Sequence, residues 1–292
     1  MKKILLDTDI GGDIDDALCL AYLLKEPACD LVGITTVCGE PEKRAAVAQV
    51  LCHTVGKDIP IVAGTDTFLW PNACYPTPEG APALAHWEHS WFKKGDAPAF
   101  LYQKIQESPG QVYLIAIGNM TNVAQLFWRF PRAINLLAGL IVMNGYFGKE
   151  ELPAPWYNWN SWVDPLASRV VFSARTAIHR VIPLNITAQL TRPVAEAGSW
   201  FKQASRLGKA IMEFGGAWME NEKTITFHDP LAAVSLFHPV CQFETGSVQV
   251  ALRPEIKQGA TTFSPQPDGP LEVAWKVDAD AFFHILRGTI CR

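Results

Sequence analysis

Short apolar runs alternate with segments of helical periodicity over most of the chain. Runs rich in Ile, Val and Leu are typical of buried parallel strands. They predict strands at residues 4–6, 30–37, 59–64, 112–118, 140–145 and 179–185. Between them, segments such as 15–24 and 43–55 repeat their apolar residues at helical spacing. This alternation predicts right-handed βαβ units. The expected fold class is α/β: a single domain over residues 1–292 with a mostly parallel, Rossmann-like central sheet flanked by helices.

The remaining segments predict other elements. Residues 66–98 are rich in proline and tryptophan and predict a long flap with some helix. Residues 190–225 predict two helices, 196–207 and 209–221, separated near Gly208. Asp229 is expected to cap the next helix, with Pro230 at its first position. The tail from residue 244 predicts strands and a final helix.

Composition and charge exclude several classes of protein. Hydrophobic residues make up 49% and charged residues 18% of the chain, and the net charge is −4 without a basic block. A nucleic-acid partner is therefore not expected. No apolar run approaches the roughly 20 residues that span a bilayer, and the apolar stretch after Met1 is too short for a signal peptide. Seven scattered cysteines without a zinc-site spacing predict reduced thiols and a cytoplasmic location.

The densest chemistry lies in residues 7–16, where a predicted strand turns through two glycines into a predicted helix. Five carboxylates fall within ten residues, and at close range they repel one another unless a cation neutralises them. Oxygen ligands of this kind suit calcium or magnesium. The alternative is an acidic, solvated helix cap. The five residues are Asp7, Asp9, Asp13, Asp15 and Asp16.

This stretch resembles the opening motif of the nucleoside hydrolases, the inosine-uridine-preferring nucleoside N-ribohydrolases. Later segments resemble the same family in the same order, from residue 4 to about 240, and the tail is similar as well. They are Ile-Gly-Asn-Met-Thr-Asn at 117–122, Met-Asn-Gly at 143–145, Asn-Trp-Asn at 158–160 with Asp164 and Pro165, and His-Asp-Pro at 228–230.

The resemblance implies a calcium-dependent enzyme that hydrolyses the N-glycosidic bond of ribonucleosides to free base and ribose. It implies calcium held by the side chains of Asp9, Asp16 and Asp229 and by the backbone carbonyl of Ile117. Asp9 would also act as general base. His228 is the expected proton donor to the departing base.

The resemblance also implies a set of substrate contacts around the ribose. A nucleoside is then the expected small-molecule partner, and the family's habit predicts a homodimer or homotetramer. The expected substrate-binding residues are Asp15, Glu40, Met143, Asn158, Trp159 and Asn160.

The sequence departs from the family pattern at several positions. The opening loop is two residues longer and adds Asp13. Glu40 stands where many members have Asn, and Asn158 where many have Glu, so the sugar specificity is expected to be unusual. The flap histidine motif of the family is not evident, although His86 or His89 could replace it.

Two other classes of function fit part of the sequence. The Asp-Thr-Asp pattern after a strand is also similar to haloacid-dehalogenase-type phosphatases, which use a nucleophilic aspartate and magnesium. That alternative gives no role to residues 158–160 or 228–230. The other alternative is a non-catalytic, calcium-dependent nucleoside- or sugar-binding protein.

Overall fold

The computed structural model describes residues 1–71, 77–149, 158–201, 205–252 and 257–291. Its strands agree in order with the predicted alternation. They are β1 (Lys2–Thr8), β2 (Cys29–Thr36), β3 (Ile61–Ala63), β4 (Val112–Ala116), β5 (Leu137–Met143), β6 (His179–Ile182), β7 (Thr191–Pro193), β8 (Thr224–Thr226), β9 (Cys241–Val250), β10 (Thr261–Pro265) and β11 (Leu271–Val277).

Helices connect most of these strands, and a 3₁₀ helix covers Ala81–His86. The α-helices are α1 (Asp15–Lys25), α2 (Pro41–Thr54), α3 (Ala97–Glu107), α4 (Thr121–Arg129), α5 (Ala133–Leu136), α6 (Trp159–Val163), α7 (Pro165–Phe172), α8 (Leu184–Thr187), α9 (Val194–Phe201), α10 (Arg206–Phe214), α11 (Gly216–Asn221), α12 (His228–Phe237) and α13 (Ala279–Ile290).

Nine strands of the described chain form one sheet in the order β10-β9-β11-β6-β5-β4-β1-β2-β3. The seven strands from β11 to β3 pair in parallel, whereas β9 is antiparallel to both β10 and β11. This confirms the expected α/β class with its mostly parallel central sheet.

Helices cover both faces of the sheet, which explains the apolar character of the strands. Ile4 and Leu6 of β1 pack into one core with α1, α2 and α12. Leu5 points to the other core, where α3, α4 and α7 pack. Because successive side chains of a strand alternate between faces, a strand buried on both sides reads as continuously apolar.

Several predicted boundaries are wrong. Gly208 lies inside α10 rather than between two helices, and the short antiparallel pair β7–β8 was not predicted. Asp229 does not cap α12; it occupies the first turn, behind the N-cap residue Phe227. The strand predicted to reach residue 185 ends at Ile182 because Pro183 lacks the N–H that a ladder needs.

The predicted flap is anchored to the body through its 3₁₀ helix. The indole Nε1 of Trp87 donates to Oε2 of Glu213 in α10 at 2.8 Å. The part of the flap at 72–76, with Cys74, lies outside the described residues. Within the described ranges, none of the helices has the length and apolar character required to traverse a bilayer.

Candidate active site

The candidate site lies where the chain reverses its direction of winding across the sheet. The chain runs from β1 outward through β2 to β3 and then returns to the other side of β1 as β4, so β1 lies between β2 and β4. Ligands of such sheets bind in the crevice at the carboxyl ends of these strands. Asp9 follows β1, Ile117 follows β4, and Met143 ends β5.

Two glycines allow the polar segments to meet there. Gly11 has a φ of +108°, a conformation that side chains rarely adopt, and it turns the chain from β1 toward α1. Gly118 lies directly against Asp9: a Cβ at this position would be 2.9 Å from the Asp9 nitrogen. A larger residue there would push the end of β4 away from the carboxylates.

Three carboxylates form the centre of the site. One oxygen each from Asp15, Asp16 and Asp229 lies within 4.8 Å of the others, and all three residues are buried. The main-chain N–H of Asp229 donates to Oδ2 of Asp15 at 3.1 Å. Burial raises the pKa of each carboxyl well above its usual range, and repulsion from neighbouring carboxylates, Asp9 among them in all three cases, raises it further.

A buried cationic side chain, Arg44, lines the same cavity as the carboxylates. The guanidinium of Arg44 donates from Nη1 to the carbonyl oxygens of Asp9 and Ile10, and from Nε to that of Gly39 at 2.8 Å. Its positive charge lowers the pKa of Asp9 and Asp16 against the larger effect of burial. Arg44 therefore fixes the main chain of the opening loop and offsets part of the negative charge.

The first of the five predicted carboxylates has a structural role. Oδ1 of Asp7 accepts hydrogen bonds from Thr35 Oγ1 at 2.5 Å and from Asn122 Nδ2 at 2.8 Å. Burial raises the pKa of Asp7 to about 7. Asp7 does not line the cavity described below, whereas Asp13 does, and burial also raises the pKa of Asp13 to about 7.

Asn160 joins the ends of two neighbouring strands. Its Nδ2 donates to the carbonyl oxygen of Ile117 at 2.8 Å and to that of Met143 at 3.0 Å. Since Ile117 directly follows β4 and Met143 ends β5, the amide holds the edge of the site together. The Asn160 side chain also lines the cavity described below.

Asn158 faces the cavity, but its amide is engaged within the protein. Its Oδ1 accepts from the N–H of Ser161 at 3.3 Å and so caps α6. Its Nδ2 donates to Asn144 Oδ1 at 2.8 Å, and Asn144 donates in turn to Ser168 Oγ at 3.0 Å. Position 158 therefore carries a neutral amide whose oxygen and nitrogen both form hydrogen bonds within the protein.

His228 lies at the start of α12, beside Asp229. Its Nδ1 is 2.8 Å from Oγ1 of Thr187. Burial lowers the pKa of His228 to about 4, so its imidazole is neutral at pH 7. A neutral ring can still donate one N–H, and the contact with Thr187 fixes its orientation.

These groups surround one cavity of about 340 Å³, which is in the size range of small-molecule sites. Nearly every residue predicted for the site lines it. They are Asp9, Asp15, Asp16, Ile117, Met143, Asn158, Trp159, Asn160, His228 and Asp229.

Glu40 is the exception among the predicted site residues. It precedes α2 in a left-handed conformation, and its carboxylate pairs with Lys43. It lines a separate surface groove with Trp91 and Phe92 instead of the main cavity. Its contact with a substrate remains a prediction.

Sequence reasoning did not single out several residues of the site. Thr8 donates through Oγ1 to Asp16, and it could have been noticed as the residue between the two aspartates of the opening motif. Arg44, Thr187 and Trp218 belong to no recognised motif; the tertiary fold brings Arg44 and Trp218 to the cavity and Thr187 to His228.

The donor set fits a hard divalent cation. Buried carboxylates without a counter-ion would take up protons, as their raised pKa values show, and a cation bound among them would keep them ionised. Carboxylate and carbonyl oxygens are the ligands that calcium and magnesium prefer. Asp15, Asp16 and Asp229 are grouped most closely, and Asp9 lines the same cavity.

Comparison with known proteins gives a consistent result. The family model described as inosine-uridine preferring nucleoside hydrolase matches residues 4–284. Uridine nucleosidase 1 of Arabidopsis thaliana is 25% identical over an alignment that covers 100% of this chain and 94% of that protein. The non-specific ribonucleoside hydrolase RihC of Salmonella newport is 35% identical over 58% of this chain and 56% of its own. A solved plant nucleoside hydrolase superposes with a TM-score of 0.85 at 25% identity, covering 99% of both chains.

Proposed function

The chain belongs to the inosine-uridine preferring nucleoside hydrolase family, and we propose that it is a calcium-dependent enzyme that hydrolyses the N-glycosidic bond of ribonucleosides. The observation that carries this proposal is the group of buried carboxylates at the starts of α1 and α12, in a cavity large enough for a nucleoside. The products are the free base and ribose.

In this proposal Asp9, Asp16 and Asp229 hold the ion with the carbonyl oxygen of Ile117. Asp15, bonded to the main chain of Asp229, lies close enough to share the site and reaches the ribose hydroxyls. When bound, calcium supplies Lewis acidity that makes a water molecule easier to deprotonate. The all-oxygen donor set supports calcium rather than a softer metal.

Asp9 is the proposed general base. It lines the cavity, and the fixed guanidinium of Arg44 holds its main chain. Its carboxylate takes the proton of the attacking water while positive charge grows on the ribosyl ring. The neighbouring carboxylates stabilise that charge, because they are buried and already in place before the reaction.

The sugar is proposed to contact Met143, Asn158 and Asn160, and the base to lie against Trp159 near His228. The neutral imidazole of His228 donates an N–H to the departing base, oriented by Thr187. A proton or a hydrogen bond is needed there because the base otherwise leaves with a negative charge.

The direct test is to incubate the protein with a panel of nucleosides in the presence of calcium and to measure the reducing sugar that is released. We expect uridine or inosine to be cleaved. The family match spans the Asn-Trp-Asn and His-Asp-Pro segments, to which the phosphatase alternative gives no role. No release of reducing sugar from any nucleoside, with retained affinity, would favour the non-catalytic binding protein.

The expected homodimer or homotetramer and the cytoplasmic location belong to the same proposal. Sedimentation of the purified chain tests the first, and fractionation of the source cells tests the second. A chain that sediments as a monomer at micromolar concentration would contradict the expected oligomer.

A further inference from the structure

Three separate segments form the outer wall of the cavity. The N–H of Gly80 donates to the carbonyl oxygen of Gly11 at 2.9 Å, so the flap rests on the opening loop. Ile14 of that loop packs on the main chain at Gly215, where a Cβ would lie 2.7 Å from Ile14 Cδ1. Gly215 directly precedes α11. The flap, the opening loop and α11 are therefore in contact.

Each of these segments contributes side chains to the cavity. The opening loop contributes Asp13, the flap contributes Glu79, and α11 contributes Trp218. Trp159, which is 37% exposed, lines the same cavity. The outer wall, formed by Asp13, Glu79 and Trp218, thus adds two carboxylates and an indole ring to the carboxylates proposed to hold the ion.

The cavity is strongly negative as a whole. Among the described lining residues, six are carboxylates and one, Arg44, is cationic, and Arg44 donates to main-chain carbonyls below the cluster. A divalent cation would still leave a formal charge of −3. An anionic wall of this kind attracts a positive ligand and opposes negative charge that develops beside it.

This charge distinguishes two kinds of nucleoside. The base of a neutral nucleoside gains negative charge as its bond to C1′ breaks, and Asp13 and Glu79 oppose that change. A base that is already a cation becomes neutral instead, and its positive charge moves to the ribosyl ring, still within the anionic cavity. Indole rings favour a flat cation further through cation–π attraction.

We propose that the outer wall of Asp13, Glu79 and Trp218 selects nucleosides whose base carries a positive charge, such as N-ribosylpyridinium compounds or N-alkylated purine nucleosides. This inference rests on the proposed function of the same cavity. The C1′–N bond breaks with its electron pair passing to the base nitrogen, which leaves as a neutral base. Water forms the new bond to C1′, and its proton passes to Asp9.

Binding tests the inference without turnover. The probes are two carbocyclic ribosides that cannot be hydrolysed: one carries pyridinium, and the other carries phenyl, its neutral isostere. We expect calorimetry to show at least about tenfold tighter binding of the pyridinium compound to the native protein, a ratio reached by a few modest charge contacts. Equal affinities for the two probes would overturn the proposal.

Variants locate the effect in the outer wall. The double variant Asp13→Asn with Glu79→Gln should bring the affinity ratio below about threefold while leaving the phenyl probe within about twofold of its native affinity. Retained binding of the phenyl probe shows that the variant is folded. Glu88→Gln removes an exposed carboxylate outside the cavity and should leave the ratio unchanged. An unchanged ratio in the double variant would refute the assignment.

Turnover separates this inference from the proposed function. With calcium, the double variant should lower the ratio of kcat/KM for pyridinium riboside to kcat/KM for uridine by about three- to tenfold. A parallel loss for both substrates would contradict charge selection. If the native protein cleaves neither substrate, the proposed function fails, and the ratio of probe affinities still decides the inference.

Discussion

The main-chain N–H of Asp229 donates to Oδ2 of Asp15 at 3.1 Å, joining the start of α12 to the start of α1 across 214 residues of sequence. The bond places two buried carboxyl groups side by side; burial raises the pKa of both, and the charge of Asp15 raises the pKa of Asp229 further. Such a contact is unfavourable unless a cation or protons neutralise the pair. The stability and the proposed activity of the protein should therefore both depend on a cation.

Calcium should stabilise the fold and restore activity after chelation. We expect the melting temperature of chelator-treated protein to rise with calcium concentration, because an ion that binds only the folded state stabilises it by mass action. Asp16→Asn and Asp229→Asn should shift this titration to higher calcium concentration. Glu88→Gln is the matched control. Full activity of a verified metal-free sample would contradict the proposal.

Asp9→Asn should abolish turnover more completely than nucleoside binding. The amide cannot accept the proton of the attacking water, and loss of one general base costs about 10² to 10⁴ in rate. Single-turnover kinetics at saturating calcium, with binding measured separately, test this. Near-normal turnover would show that another residue acts as the general base.

Asn158 should influence sugar selection more than Glu40 does. Asn158 lines the cavity, whereas Glu40 pairs with Lys43 outside it. Asn158→Asp loses the Nδ2 donor to Asn144 and adds a charge beside the proposed sugar site. The ratio of kcat/KM for ribonucleosides to that for their 2′- and 5′-deoxy analogues should change. Glu40→Gln should leave the ratio within about twofold, and a larger effect at Glu40 would reverse this assignment.

His228→Ala should reduce hydrolysis of ordinary nucleosides and largely spare 4-nitrophenyl riboside, whose leaving group departs without a proton. Thr187→Val should give a smaller loss with the same pattern, because it removes the contact that orients the ring. The measurement is kcat/KM on both substrates for each variant. Equal losses on the two would leave His228 a positioning residue.

His179 should make the protein less stable in acid. It is fully buried on β6, and burial lowers its pKa to about 4. The unfolded chain therefore binds a proton that the native state does not, between pH 6.5 and 4. Stability from this group is fully present above pH 6.5 and falls by about 3 kcal/mol as the pH drops to 4.

His179→Gln removes this titration and keeps a donor for the carbonyl of Ala174, which Nδ1 contacts at 3.1 Å. Urea unfolding at pH 7 and pH 5 for both proteins isolates the contribution from that of the carboxylates. The same pH dependence in the two proteins would show that His179 does not carry it.

Local patterns in the sequence determined the element types and most of the site. The apolar runs around β1, β2, β4 and β5 predict a buried parallel sheet because a strand that is buried on both faces has an almost continuously apolar sequence. The location of the site then follows, since ligands of such sheets bind beyond the carboxyl ends of the strands. The opening carboxylates predict a cation site because several like charges within ten residues repel one another unless a cation neutralises them.

Only the tertiary structure decided which polar groups serve the cavity and which serve the fold. Asp7 and Asp9 are two residues apart in one motif, yet Asp7 is bonded to Thr35 and Asn122 while Asp9 lines the cavity. Asp229, for which the sequence predicted both a capping role and an ion-binding role, does not cap α12 and lies in the carboxylate group. The contacts of Arg44, Thr187 and Trp218 join segments far apart in the chain, and packing between such segments leaves no periodic trace in the sequence from which it could be predicted.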